Sequence, residues 1–226
     1  MSVLPPRLRG LYLITPDDPD TARLLARVTP LLAAGPALLQ YRNKGASPAL
    51  RREQARALLH ECRAAGVPLI VNDDWRLAGE LGADGAHLGA DDGDLAQARA
   101  ALGDAVILGA SCYDEPALAR RAIVAGASYV AFGAFFPSPS KAATRRATPD
   151  LLRADLGAAV PRVAIGGIGI EPAADLAAAG ADLVAVISGV FAAADPVAAL
   201  HAYRRAIAAA HTPPATRAGI SAGNER

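Results

Sequence analysis

Short apolar runs and longer amphipathic stretches alternate along this chain. The apolar runs predict eight β-strands: Leu11–Ile14, Leu38–Arg42, Leu69–Asn72, Ala86–Leu88, Val106–Ala110, Tyr129–Phe132, Val163–Ile165 and Leu183–Ile187. Between them lie helical patterns that stop at Gly35, Gly66, Gly82, Gly103, Gly126, Gly157 and Gly180, each where a left-handed C-terminal cap would sit. The stretch Ser47–Ala65 opens with Ser-Pro, a favoured cap and first-turn pair, and Asp114-Glu115-Pro116 opens the fifth helix in a similar way. Gly82-Ala83-Asp84, Gly126-Ala127-Ser128 and Gly180-Ala181-Asp182 each lead into a strand, an internal echo of one repeating unit.

Eight βα units in 226 residues match a closed parallel barrel, which typically takes ~250 residues. The expected fold is α/β, a single (β/α)8 TIM barrel over residues 1–211. Residues 212–226, rich in Pro, Gly, Ser and charge, are expected to form a short disordered tail. A doubly wound open sheet is the competing architecture. It places a Gly-x-Gly-x-x-Gly turn after its first strand, where this chain has Ile14-Thr15-Pro16-Asp17.

Composition narrows the partners. A net charge of +1 supplies no field to gather nucleic acid, and no apolar run is long enough to cross a bilayer. Met1 to Gly10 carries arginines and two prolines but no signal-peptide core, and Cys62 and Cys112 fit no metal spacing. These features predict a soluble, cytoplasmic protein acting on small molecules, and they leave room for a homo-oligomer.

The chemistry collects at the predicted strand ends, where barrels of this type build their active sites. Strand two sets Leu38, Gln40, Arg42 and Lys44 on one face and Leu39 and Tyr41 on the other. Buried cations need anionic partners, either neighbouring acidic residues or a ligand. Of 23 Lys and Arg residues only Lys44 and Lys141 are lysine, which favours sites requiring a compact ammonium point charge. Strand three ends in Asn72, Asp73 and Asp74, and strand four in His87-Leu88-Gly89-Ala90-Asp91-Asp92. Asp73 and Asp92 come from adjacent strand ends and could share Mg²⁺, which commonly uses one or two carboxylates beside a phosphorylated substrate; otherwise they are helix caps or partners of Arg42. Asp74 and Asp91 read as caps.

Strand five delivers Ser111, which has no evident His partner and so suits donation to an anion better than nucleophilic attack. His87 reads as a satisfied core residue, Trp75 as helix packing, Cys112 as structural, and His60, His201 and His211 as solvated. Strand six runs into Pro137-Ser138-Pro139-Ser140-Lys141. Strand seven ends in Gly166-Gly167-Ile168-Gly169, and strand eight in Ile187-Ser188-Gly189. Glycines at the last two ends let backbone N–H groups approach a phosphate, or else simply make tight turns. A cationic, metal-assisted half and a neutral backbone half together suggest two phosphorylated substrates meeting across the barrel mouth.

Six of these pieces, in order and each at a strand end, resemble the thiamine-phosphate synthase family: Gln40-x-Arg42-x-Lys44, Asn72-Asp73, His87 to Asp92, Pro137 to Lys141, Ile165 to Ile168, and Ile187-Ser188. The likeness runs from Leu11 to about Phe191. It implies joining of a hydroxymethylpyrimidine diphosphate to a thiazole phosphate, with release of diphosphate. By the resemblance, Asp73 and Asp92 bind Mg²⁺, and Arg42, Lys44, Ser111 and Lys141 hold the diphosphate. Arg42, Ser111 and Lys141 are then the catalytic set. Gln40 and Asn72 would seat the pyrimidine end, while Ser138, Ser140, Gly167, Ile187 and Ser188 would take the thiazole phosphate. The chain departs from the family pattern at Ser138 and Ser140, often Thr, at Ala90, commonly Gln, and at Tyr113, often His. A thiazole tautomerase shares the fold but needs a well-placed acid–base such as His. A barrel that only binds phosphorylated ligands would have no need of both lysines and Asp73.

Overall fold

The structure, a computed structural model, describes residues 8–90, 92–137 and 146–211. The predicted tail, residues 212–226, lies outside the described residues, as do Asp91, Ser138, Ser140 and Lys141. In chain order the elements are β1 (Gly10–Ile14), α1 (Thr21–Ala33), β2 (Leu38–Tyr41), α2 (Pro48–Ala65), β3 (Leu69–Asn72), α3 (Trp75–Leu81), β4 (Gly85–Leu88) and α4 (Leu95–Leu102). They continue as β5 (Ile107–Tyr113), α5 (Pro116–Val124), β6 (Tyr129–Phe132), a 3-10 turn (Pro149–Leu152), β7 (Arg162–Ile165), α6 (Ile170–Ala178), β8 (Leu183–Val186), α7 (Ser188–Phe191) and α8 (Pro196–His211). The strands are parallel, pair in sequence order and close through β1 against β8.

Closure turns the two faces of each strand into an inside and an outside. Leu11 and Leu13 of β1, Leu39 and Tyr41 of β2, and Leu69 and Val71 of β3 point outward into the core shared with the helices. Tyr12, Ile14, Leu38 and Ile70 occupy the barrel interior with Tyr129, Ala131 and Val163. This is the alternation that a pleated strand buried on both faces requires. The interior is also polar: Gln40 and His87 are buried within it.

Helix ends follow the local chemistry. Ser47 caps α2 by accepting from the Leu50 N–H, with Pro48 in the first turn, and Gly66 closes it in the left-handed conformation. Asp74 accepts from the Leu77 N–H at the start of α3. Gly157 departs from expectation: it takes a positive φ of 77° but follows a 3-10 turn and a loop, not an α-helix. β5 also runs past its predicted end at Ala110 as far as Tyr113, with a register shift against β6 between Ser111 and Tyr113. Such a bulge re-aims side chains at a strand end, and it lets Tyr113 follow Ser111 into the mouth of the barrel. At the other side of the closure, β8 stops at Val186 and Ile187 leads into the short α7.

One glycine makes the polar interior possible. A Cβ on Gly109 would lie 2.0 Å from the Tyr129 ring, so only glycine at that point of β5 leaves space for a tyrosine inside the barrel. Gly109→Ala is therefore expected to destabilise the fold by about 1–3 kcal/mol through overpacking, read as a lower urea midpoint at unchanged slope. A midpoint equal to that of the parent chain would show that Tyr129 is not held against β5.

Candidate active site at the barrel mouth

The C-terminal strand ends enclose a cavity of about 660 Å³. Gln40, Arg42, Lys44, Asn72, Asp73, Asp92 and Ser111 line it from one side, and Gly167, Ile187 and Ser188 from the other. The predicted residues that lie among those described thus converge on one cavity.

The cationic half is crowded with charge. Lys44 Nζ lies 3.7 Å from Asp73 Oδ2, and Arg42 Nη1 lies 3.2 Å from Asp17 Oδ1. Asp17 Oδ1 also accepts from the Lys44 N–H at 3.1 Å. Both cations therefore have carboxylate neighbours and face the cavity at the same time. Asp73 sits in the left-handed region, with φ 64°, its N–H donating to the His87 carbonyl at 2.8 Å. A non-glycine residue held there costs of order 1–3 kcal/mol, and such strain gathers at functional sites. Asp92 Oδ2 accepts from the Gly89 N–H at 2.9 Å, and a Cβ on Gly89 would come within 2.5 Å of that same oxygen.

Burial pushes the Asp73 carboxyl above its usual range, and the adjacent Asp92 carboxyl pushes it further; Lys44 and Arg42 oppose the shift. Two carboxyl groups pressed together beside ammonium and guanidinium groups fit a hard divalent cation shared with an anionic ligand. The described residues contain no cluster of three or more His, Cys, Asp or Glu side chains able to hold a metal. A cation here would draw its remaining ligands from water and substrate, as Mg²⁺ commonly does.

One expectation needs correcting. Ser111 does have a histidine partner, since His87 Nε2 lies 2.9 Å from Ser111 Oγ. The other ring nitrogen, Nδ1, lies 3.0 Å from the Tyr129 hydroxyl and not against a carboxylate. Burial pushes His87 down to about 4, the Asp92 charge opposing weakly, so the imidazole is neutral and a poor base. Ser111 consequently remains a hydrogen-bonding group and not an activated nucleophile. Cys112 is buried, and burial raises its thiol to about 12, in keeping with a structural role. Trp75 packs in the outer core, and its indole N–H has no partner among the described residues.

The neutral half is shaped by the loops after β7 and β8. Gly166 and Gly167 take φ values of 105° and 60°. A Cβ on Gly167 would meet the Pro137 carbonyl oxygen at 2.1 Å, so these glycines also admit the loop that follows β6. The tight turn and the exposed backbone are thus two aspects of one geometry. Helix α7 begins at Ser188, where the first backbone N–H groups have no acceptor within the helix.

Sequence reasoning missed Tyr12 and Tyr129. Their hydroxyls lie 2.8 Å apart, and Gln40 Nε2 donates to Tyr12 at 2.7 Å. Tyr12 shares strand parity with Ile14, and that was the available signal. Tyr113, with φ 52°, and Tyr203 also line the cavity.

Residues 11–190 match the family model described as thiamine monophosphate synthase. A thiamine-phosphate synthase of Xanthomonas campestris pv. campestris (strain 8004) is 61% identical over 198 residues, covering 87% of this chain and 94% of that protein. One from Xylella fastidiosa (strain Temecula1) is 55% identical over 199 residues, covering 88% and 85%. Among solved structures, a thiamine phosphate pyrophosphorylase from Pyrococcus furiosus superposes with a TM-score of 0.79 at 28% identity, covering 91% of this chain and 98% of that one. A 3-hexulose-6-phosphate synthase from Salmonella typhimurium, at 20% identity and a TM-score of 0.69, shares the fold. The chain belongs to the thiamine monophosphate synthase family.

Proposed function

We propose that this chain is a Mg²⁺-dependent transferase that joins hydroxymethylpyrimidine diphosphate to thiazole phosphate, giving thiamine phosphate and diphosphate. The observation that carries this reading is the meeting of Asp73, Asp92, Arg42 and Lys44 in one cavity with the glycine-rich ends of β7 and β8. The pyrimidine methylene C–O bond breaks, its electron pair leaving with the diphosphate. A bond then forms between the methylene carbon and the thiazole nitrogen, whose lone pair is already nucleophilic.

Such a reaction asks two things of the protein. The departing diphosphate must be neutralised, and the two substrates must be aligned. Asp73 and Asp92 would hold Mg²⁺, which when bound supplies Lewis-acid stabilisation of the leaving group. Arg42 and Lys44, just past the end of β2, and Ser111 of β5 line the same cavity and would bind diphosphate oxygens. Lys141 would join them, by the sequence resemblance. Gln40 and Asn72 would seat the pyrimidine ring. Gly167 with the Ile187 and Ser188 backbone would hold the thiazole phosphate, with Ser138 and Ser140 between the substrates. No step requires a protein nucleophile or strong base, consistent with the buried, neutral state of His87.

Incubation of both substrates with Mg²⁺ should yield thiamine phosphate and diphosphate. Tautomerisation of thiazole phosphate alone, without condensation, would point instead to a tautomerase.

Asp92→Asn is expected to raise the Mg²⁺ concentration for half-maximal rate at least about tenfold, the lower end of what losing an outer partner of a metal site costs. An unaltered Mg²⁺ titration would remove Asp92 from the metal site. Lys141→Ala should lower turnover by about 10²–10³, the cost of losing one donor to developing negative charge. Near-normal turnover would reject that role.

A further inference from the structure

At the cavity floor, five side chains from five different strands form one unbroken hydrogen-bonded series. Gln40 Nε2 donates to the Tyr12 hydroxyl at 2.7 Å, and the Tyr12 and Tyr129 hydroxyls are 2.8 Å apart. Tyr129 Oη then meets His87 Nδ1 at 3.0 Å, and His87 Nε2 meets Ser111 Oγ at 2.9 Å. Tyr12 and Tyr129 are each 1% exposed or less, so their hydroxyls cannot turn to bulk water for a missing partner. The Tyr129 ring stacks on His87 with 17° between planes and meets Tyr12 edge-on at 90°, which holds the series in place.

Counting donors and acceptors leaves few arrangements. Each phenol has one proton to give, and the neutral imidazole has one N–H and one acceptor nitrogen. With Gln40 giving its N–H to Tyr12, the Tyr12 proton goes to Tyr129 and the Tyr129 proton to His87 Nδ1. His87 then carries its proton on Nε2 and gives it to Ser111. The Ser111 proton is left to point into the cavity. Any single reversal within the series leaves a buried hydroxyl or ring N–H without an acceptor, which costs the desolvation of that group. The one other satisfied state reverses every bond together: Gln40 turns its carbonyl oxygen to Tyr12, and Ser111 gives its proton to His87. Ser111 would then offer only lone pairs to an anion.

We propose that Tyr12, Tyr129 and His87 are positioning residues whose hydrogen-bonded series ties the donor state of the Ser111 hydroxyl to the amide orientation of Gln40. This rests on the diphosphate reading of the site given above. A diphosphate accepting from Ser111 selects the state in which the Gln40 carbonyl oxygen is free of Tyr12 and available to N–H groups of the pyrimidine. Leaving group and ring are thereby recognised together, and by linkage each strengthens binding of the other.

The two tyrosines have separable roles. In Tyr129→Phe, either tautomer leaves His87 Nδ1 without its tyrosine partner, so the Nε2–H form loses the hydrogen bond that selected it and Ser111 can turn its proton onto the ring. In Tyr12→Phe, Tyr129 still has only His87 to donate to, so Ser111 remains a donor while Gln40 loses its anchor. Both substitutions keep the aromatic packing, and thermal melts check that both variants fold.

Calorimetric titration with inorganic diphosphate in saturating Mg²⁺ is the test, paired with steady-state kinetics on both substrates. Tyr129→Phe should weaken diphosphate binding about tenfold, the scale of one hydrogen bond to a charged group. That loss should vanish when it is measured in a Ser111→Ala background. Tyr12→Phe should bind diphosphate within about twofold of the parent, yet show a raised KM for the pyrimidine diphosphate and an unchanged KM for thiazole phosphate. The inference is overturned if Tyr129→Phe binds diphosphate like the parent, if Tyr12→Phe loses as much as Tyr129→Phe, or if the Tyr129→Phe loss persists without Ser111. A parent chain that neither binds Mg²⁺–diphosphate nor forms thiamine phosphate would instead refute the underlying functional reading.

Discussion

Two carboxyl groups that repel one another are held together at the end of β3 and in the loop after β4, and the site is arranged around that conflict. Asp73 is kept in a left-handed conformation, tied by its N–H to the His87 carbonyl. Asp92 is fixed by the Gly89 N–H, at a point where only glycine lets the carboxylate approach so closely. Burial makes the repulsion more costly, since charges at a half-buried position are screened less than at the surface. Lys44, 3.7 Å from Asp73, relieves part of it. A protein does not retain such an arrangement for stability alone, because an apolar pair would pack there at no electrostatic cost. A divalent cation would relieve the conflict, and a cation at that point would face a cavity lined by Arg42, Lys44 and Ser111.

The barrel supplies what the site needs by closing on itself. Closure brings β2, β3, β4 and β5 side by side, so their ends form a continuous cationic and acidic arc, while β7 and β8 present bare backbone opposite. The interior beneath is not simply a packed apolar core. Gly109 leaves the space that Tyr129 fills, and Tyr129 links β1 to β4 and so to Ser111. The candidate-site side chains at the mouth thus rest on a hydrogen-bonded polar floor, which suits the proposed reaction, whose main demand is alignment.

Much of this was legible in the sequence, for a physical reason. Strand alternation puts Gln40, Arg42 and Lys44 on one face before any fold is known, and glycine punctuation separates the βα units. Residue types at strand ends then carry the chemistry. What stayed hidden depended on register between strands far apart in sequence. His87 and Ser111 both face inward, but their contact requires the stagger that pairs His87 with Gly109 across β4 and β5. The bulge at Cys112 leaves no mark in a run that reads as an ordinary strand, so β5 was expected to end too early. Gly157 misled for the opposite reason: a glycine with positive φ marks a turn, and a turn need not end a helix. The tyrosine pair was visible only as parity, Tyr12 with Ile14, and parity alone does not say that a hydroxyl waits across the barrel.

The most direct measurement is the anomalous signal of Mn²⁺, standing in for Mg²⁺, in crystals grown with inorganic diphosphate. The account predicts one strong peak in coordination range of both Asp73 and Asp92, with diphosphate oxygens completing the shell toward Lys44 and Ser111. A peak elsewhere, or diphosphate bound at the β7 and β8 ends with no metal between the two carboxylates, would contradict it.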